Sequence, residues 1–262
     1  VDEQRCEKIA FISDKRAIIA DYLDHKVERR SAGCYLQDTI DNFMEAKEKI
    51  SSLSLPFLNV TFKVEKVNNE TKYRFYGNEY RSYKVRMSAG SSGMQTVTPL
   101  CMITEYFAKH FSPVKSFSEA LWKYMAETDA LSEFSGVKNV GDIAVKNVHL
   151  LVEEPELNLD PMSQIELIDT LLKACFYTEK DYKMTLSMAT HSPYILNYLN
   201  LLIKREHRNS DGIGWKFEDL SVYEIVEGTS FCLKIEGEQS LIDATSMSDP
   251  ISKIYAEYNS LV

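Results

Sequence analysis

"LLVEEPELNLDP", residues 150–161, decides how this chain is read. An apolar run stops abruptly at Glu153, Glu154, Pro155 and Glu156. Either the chain has entered a solvated loop, or a buried strand is aiming acids at something positive. The preceding "VHLLV", 148–152, shows no polar–apolar alternation, as expected for a strand buried on both faces of a parallel sheet. Open α/β sheets bind ligands outside the carboxyl ends of such strands. Two neighbouring acids there can divide a task. One helps to hold Mg²⁺, a hard cation that prefers oxygen ligands; the other orients or deprotonates a water. Taken alone, "EEPE" does not separate the two readings.

Working outward, a second strand ends in a similar way. "KMTLSMAT", 183–190, reads as another buried strand, followed by His191, Ser192 and Pro193 at the start of a helix. A helix from Pro161 to Tyr177 is expected between the two. This strand–helix–strand order predicts an α/β fold with a parallel sheet. If the two strands are neighbours, His191 and Glu154 point into one crevice. An imidazole there can donate to a phosphate oxygen or hold a water, although a lone histidine is more often structural. Earlier in the chain, "SAGSSGMQ", 88–95, is a Ser/Gly turn that opens a helix. The free amides of a helix start form an anion site, but such a loop serves equally as a plain linker.

The remaining segments give a coarse outline. "KIAFIS", 8–13, reads as a strand and 14–30 as a helix. A second helix spans 36–50, and alternating Val60, Phe62 and Val64 open a hairpin over 58–87. Pro99 is expected in the first turns of the helix after the Ser/Gly loop, where its missing N–H costs least. The segment 116–133 is an amphipathic helix, read as an inserted lid or arm. A terminal hairpin over 220–237 and a helix over 250–260 close the chain.

The composition narrows the classes. The chain has 262 residues and a formal charge of −9. That argues against a surface covered in nucleic-acid-binding charge, while leaving room for a local basic patch. No apolar window approaches the ~18 residues of a membrane span. The five cysteines (Cys6, Cys34, Cys101, Cys175 and Cys232) are scattered and lack C-x-x-C spacing, so they read as reduced thiols and the expected location is cytoplasmic.

The three pieces in order resemble one known constellation: Ser-x-Gly-x-Gln before a helix, an apolar strand into "EEPELNLDP", then an apolar strand into "THSP". They resemble the ABC-type ATPases, and within them the AAA-labelled OLD-, RecF- and SMC-like branch. The match covers most of the last two-thirds of the chain. The resemblance implies a P-loop NTPase core, a partly parallel sheet flanked by helices, with helical and β-hairpin insertions. On that scheme 1–20 is a core strand and helix start, and 21–87 a helical and hairpin insertion. The signature loop and its helix take 88–115, the helical arm 116–146, and the Walker B, D-loop and H-loop core 147–262.

The resemblance also assigns roles. Glu153 stands where a residue assists Mg²⁺, usually as an aspartate. Glu154 stands at the glutamate that activates water. Asp160 takes the D-loop aspartate position and His191 the switch histidine. Ser91, Ser92, Gly93 and Gln95 fall on the signature motif. Arg16 belongs to a strand-and-basic segment common before the insertion, which makes it a speculative site residue. ATP and Mg²⁺ are the implied cofactors, and a homodimer closing on ATP is the implied assembly.

One part of the family pattern is missing. The chain holds no G-x-x-x-x-G-K-[ST], and no glycine is followed by lysine. The P-loop lysine and amides that cradle the phosphates must therefore come from elsewhere, and the chain is expected to be the C-terminal part of an ATPase. The leading expectation is an ATPase subunit that switches a separate effector, a nuclease or toxin of bacterial anti-phage defence. Two alternatives stand beside it: a DNA-repair or DNA-end-binding ATPase, and a non-catalytic scaffold.

Overall fold

The computed structural model describes residues 5–24, 33–77, 82–127, 145–208, 210–237 and 240–261. The chain divides into two compact units: Val1–Leu159 with Thr170–Ala189, and Asp160–Asp169 with Thr190–Val262. In chain order the first unit contains strand β1 (Arg5–Ile12), helices α1 (Ile19–Leu23) and α2 (Cys34–Lys49), and strands β2 (Ser52–Leu55), β3 (Val60–Val67), β4 (Glu70–Gly77) and β5 (Lys84–Arg86). Helices α3 (Ser92–Lys109) and α4 (Pro113–Glu127) follow, then strands β6 (Val145–Glu153) and β7 (Lys183–Ala189). Helix α5 (Pro161–Phe176) joins β6 to β7. Of the helix read over 14–30, a 3-10 turn at Asp14–Ile18 and the short α1 are described, and 25–32 lie outside the described residues. The end of the helix read over 116–133 also lies outside them.

The α/β expectation holds. β6 pairs in parallel with β1 on one side and β7 on the other, in the order β1-β6-β7. One expectation about these strands needs correction. Along β6 only alternate residues are fully buried (Val148, Leu150 and Val152), and β7 alternates in the same way with one face exposed. The second face carries a polar row instead of a core. His149 shares hydrogen bonds with Thr185 Oγ1 at 2.7 Å and Glu7 Oε2 at 2.8 Å, and Asn147 donates to Glu7 Oε1 at 3.0 Å. These bonds, His149 first, hold the Glu7 carboxyl below its ordinary range. Short side chains such as Thr185 and Ser187 among Met184, Leu186 and Met188 made the run look apolar when its period was already two.

The free edge of β1 is covered by α2. Phe11 N–H donates to Asp38 Oδ2 at 2.8 Å, Ser13 N–H donates to Thr39 Oγ1 at 3.0 Å, and the Thr39 hydroxyl donates to Phe11 O at 3.0 Å. Side chains of a helix thus satisfy backbone groups that would otherwise recruit another strand. α3 is buried almost all round from Thr96 to Thr104 and forms the centre of the unit. Here a second expectation fails. Pro99 sits in the interior of α3, not in its first turns, because the helix begins at Ser92. Its missing N–H leaves the Gln95 carbonyl without the usual donor; packing on every side of α3 outweighs that local cost.

The hairpin read over 58–87 is the centre of a four-stranded antiparallel sheet, β2-β3-β4-β5. Asn68 and Asn69 turn β3 into β4 with positive φ, a conformation asparagine tolerates. Leu55, Val60, Phe62 and Phe75 fill the inner face, with the two phenylalanine rings 5.5 Å apart.

In the second unit, helix α6 (Pro193–Arg208) buries Ile195, Leu196, Tyr198, Leu199, Leu202 and Ile203 along one stripe. Strands β8 (Tyr223–Val226) and β9 (Thr229–Cys232) form the expected hairpin, with Glu227 and Gly228 both at positive φ. Strands β10 (Lys234–Ile235) and β11 (Leu241–Ile242) pair antiparallel. Asn200 of α6 holds β11 with two amide bonds to Ile242, at 2.8 and 2.7 Å. Helix α7 (Thr245–Ser260) buries none of its residues.

Candidate functional site

The acidic loop begins with a backbone reversal. Glu154 donates its N–H to the Ala189 carbonyl at 2.8 Å, which carries the β6–β7 ladder one residue past β6. Its φ is then +43°, in the left-handed region. Leu157 N–H donates back to Glu154 O at 3.1 Å, and Leu159 N–H to Glu156 O at 3.0 Å. Six non-glycine residues among those described have positive φ: Asn59, Asn68, Asn69, Asn158, Glu227 and Glu154. Four are asparagines, whose short side chains suit the region, and Glu227 sits in a two-residue hairpin turn beside a glycine. Glu154 has neither reason. A long side chain there costs about 1–2 kcal/mol, and strain of this kind gathers at functional sites.

Arg16 holds that conformation in place. It is fully buried and its donors go to backbone carbonyls. Nε donates to Thr96 O at 2.9 Å. Nη1 reaches Ser13 O at 3.1 Å and Glu153 O at 2.7 Å. Nη2 reaches Glu154 O at 2.7 Å and Pro155 O at 3.5 Å. The five N–H groups of a guanidinium therefore meet five carbonyls. Burial pushes its pKa down to about 10, against the pull of Cys101 and the carboxylates of Asp14, Glu156 and Glu154. At neutral pH the group stays charged. One cation thus ties the end of β1, the first turns of α3 and the start of the acidic loop.

The end of β1 adds an acid to the neighbourhood. Ile12 and Val152 are parallel partners, so the loop after β1 lies beside Glu153. Asp14 N–H donates to Glu153 Oε2 at 3.3 Å. Among the described residues no group of three or more His, Cys, Asp or Glu side chains gathers to hold a metal.

The Ser/Gly loop meets the acidic loop directly. A 3-10 turn at Met87–Ala89 precedes Ser91, whose Oγ accepts from Met94 N–H at 3.3 Å and caps α3. Ser91 and Ser92 are exposed. Gln95 turns back to brace the loop, its Nε2 donating to Gly90 O at 2.9 Å and Ser88 O at 3.2 Å. Gly93 is buried, and a Cβ added there would lie 2.8 Å from Asn158 O. Thr96 Oγ1 donates to Leu157 O at 3.0 Å. The structure thus brings Ser91, Ser92, Gly93 and Gln95 together with the loop that starts at Glu153 and Glu154.

Asp160 and His191 belong to the second unit. Asp160 caps α5: Oδ1 accepts from Met162 N–H at 3.0 Å and Ser163 N–H at 3.1 Å, and Oδ2 accepts from the Ser163 hydroxyl at 2.5 Å. These bonds, the Ser163 hydroxyl first, hold its carboxyl below the ordinary range. His191 is exposed, one residue before Ser192. Ser192 caps α6, accepting from Ile195 N–H at 3.3 Å and donating to Gln164 Oε1 at 2.6 Å. Thr190 Oγ1 accepts from Ser192 N–H at 3.0 Å.

The residue that sequence reasoning placed least well is Arg16. "DKRA" offers Lys15 and Arg16 equally, and only the 3-10 turn sends one outward and the other into the core. Asp14 was missed because an acid after a strand becomes informative only once β1 and β6 are known to be neighbours. Compared with known proteins, the chain matches no family model and no curated protein. Among the described residues no helix is long and apolar enough to cross a membrane.

Proposed function

We propose that the chain is the acid-bearing part of an ABC-type ATPase of the OLD-, RecF- and SMC-like branch. The observation that carries this reading is the left-handed backbone of Glu154 at a parallel strand end, fixed by Arg16. A solvated loop has no need to hold a glutamate in a strained conformation with a buried cation. In this reading Glu154 orients and deprotonates the attacking water, and Glu153 helps to hold Mg²⁺. The amide end of α3 with Ser91 and Ser92 faces a phosphate across a homodimer, while Gln95 keeps the loop in shape. Asp160 contributes a dimer contact beside its capping role, and His191 holds a phosphate oxygen. Bound Mg²⁺·ATP supplies the cation that neutralises charge on the transferred phosphoryl group. The phosphate-cradling loop must come from outside these 262 residues.

Dimer closure and opening then serve as a switch for a partner effector, a nuclease or toxin. The exposed Phe117, Trp122 and Tyr124 of α4 suit such a protein partner. The test is Mg²⁺-dependent ATP hydrolysis by the product of the natural gene, beside its Glu154→Gln variant. Turnover is expected to fall about 10²–10⁴-fold, the usual contribution of a positioned base, with nucleotide binding retained. Unchanged turnover would remove Glu154 from the role. Partner assembly that ignores both nucleotide and Glu154→Gln would leave only a scaffold.

A further inference from the structure

The outer face of the β2-β3-β4-β5 sheet gathers basic residues. Strand register puts Lys63, Arg74 and Arg86 directly opposite one another on β3, β4 and β5. Lys72 and Lys84 stand two residues away on the same face. Against these five cations the face carries the carboxylates of Glu65 and, near the β3–β4 turn, Glu70. The surplus is positive on a chain whose formal charge is −9.

Like charges directly opposite each other weaken a sheet, so this row costs stability. Charged residues on an edge strand guard against strand addition, which accounts for Lys84 and Arg86 on β5. It does not account for Arg74 and Lys63, which sit on the inner strands β4 and β3. Two carboxylates relieve part of the repulsion, and among the described residues Lys63 and Arg86 are left without one: Glu70 Oε2 lies 3.5 Å from Lys72 Nζ. Glu65 Oε2 lies 3.2 Å from Arg74 Nη1 and 3.4 Å from Lys84 Nζ, and its Oε1 accepts from the Tyr76 hydroxyl.

We infer that this sheet face binds the phosphate backbone of duplex nucleic acid without reading its sequence. The cations stand in rows about 4.8 Å apart between strands and about 7 Å apart along them, a spacing that spans successive phosphates. Single-strand binding requires aromatic platforms for the bases. Among the described residues the aromatic placed among these cations is Tyr76, a poor platform: the ammonium groups of Lys63 and Lys84 lie 5.0 and 4.8 Å from its ring centroid, and its hydroxyl is bonded to Glu65. A duplex, whose phosphates are outermost, fits the surface better than exposed bases do. The assignment stands apart from the acidic loop, so its failure and that of the ATPase reading are separable.

The test is fluorescence anisotropy of the natural gene product with a labelled DNA duplex, the matching single strand, an acidic peptide and anionic vesicles. Three neutralised phosphates give a salt slope near −2.7, or about a 40-fold loss of affinity between about 50 and 200 mM salt. Lys63→Ala and Arg86→Ala are each expected to weaken duplex binding severalfold, whatever the sequence, and to flatten the slope by about 1. Glu65→Gln is expected to tighten binding, which a purely structural carboxylate would not do. Circular dichroism checks that each variant is folded, and ATP turnover should be unchanged in all three. The proposal is overturned by absence of duplex binding at low salt, by binding indifferent to these charges, or by tighter binding of the single strand, the peptide or the vesicles.

Discussion

Arg16 and the outer sheet face use positive charge in opposite ways. Arg16 is sealed inside the first unit, and its five N–H groups meet five carbonyls. On the sheet face, Arg74 and Lys84 share one carboxylate, and Arg86 is exposed to solvent. The contrast follows from desolvation. A buried polar hydrogen without a partner is expensive, so a buried cation is retained only where its donors are matched. A cation in water carries no such demand and stays available for a ligand.

The comparison makes predictions that differ in size. Arg16→Met should have the largest effect, because it strips buried carbonyls of their donor; the loss is on the order of 5 kcal/mol. Arg16→Lys should recover little, since one ammonium cannot serve carbonyls arrayed around a planar fork. Urea unfolding of both variants measures this, and a shift no larger than that of Arg86→Ala would break the contrast. Gly93→Ala comes next. Its added methyl meets the Asn158 carbonyl, a backbone atom that cannot rotate aside, so about 1–3 kcal/mol is expected. The smallest effect belongs to Asp160, whose carboxylate is bonded but exposed. Its depressed pKa means that its charge stabilises the fold above the ordinary carboxylate range and ceases to do so as pH falls through the folded value. Thermal melts of wild type and Asp160→Asn should therefore differ slightly at neutral pH and converge in acid; a gap that widens in acid would reverse the assignment.

Much of the framework was legible because each element carried its own signal. The apolar runs at 148–152 and 183–189, with a helix between them, carried the strand–helix–strand order of a parallel sheet, and β6 and β7 do pair in parallel. The Ser/Gly turn that opens α3 and the alternation of Val60, Phe62 and Val64 were equally local. What escaped were properties set by partners distant in sequence. Whether β6 is buried on one face or two depends on what stands beside His149, and the sequence around it says nothing of Glu7 or Thr185. Pro99 was placed by propensity, which yielded to the packing around α3. The cation row on the sheet was invisible until register aligned Lys63, Arg74 and Arg86, residues scattered across 24 positions of sequence among acids and tyrosines.

Gly90 gives the hairpin sheet and the Ser/Gly loop a common fate. A Cβ at that position would lie 2.7 Å from the ring of Phe75, a fully buried side chain on the inner face of β4. The two residues therefore share one volume. In a genetic screen they should behave as a single locus: a larger residue at 90 would be tolerated where 75 becomes smaller, as in Phe75→Leu, and rejected where the ring is kept. Because Gly90 also lends its carbonyl to Gln95, a change of volume at Phe75 would reach the start of α3.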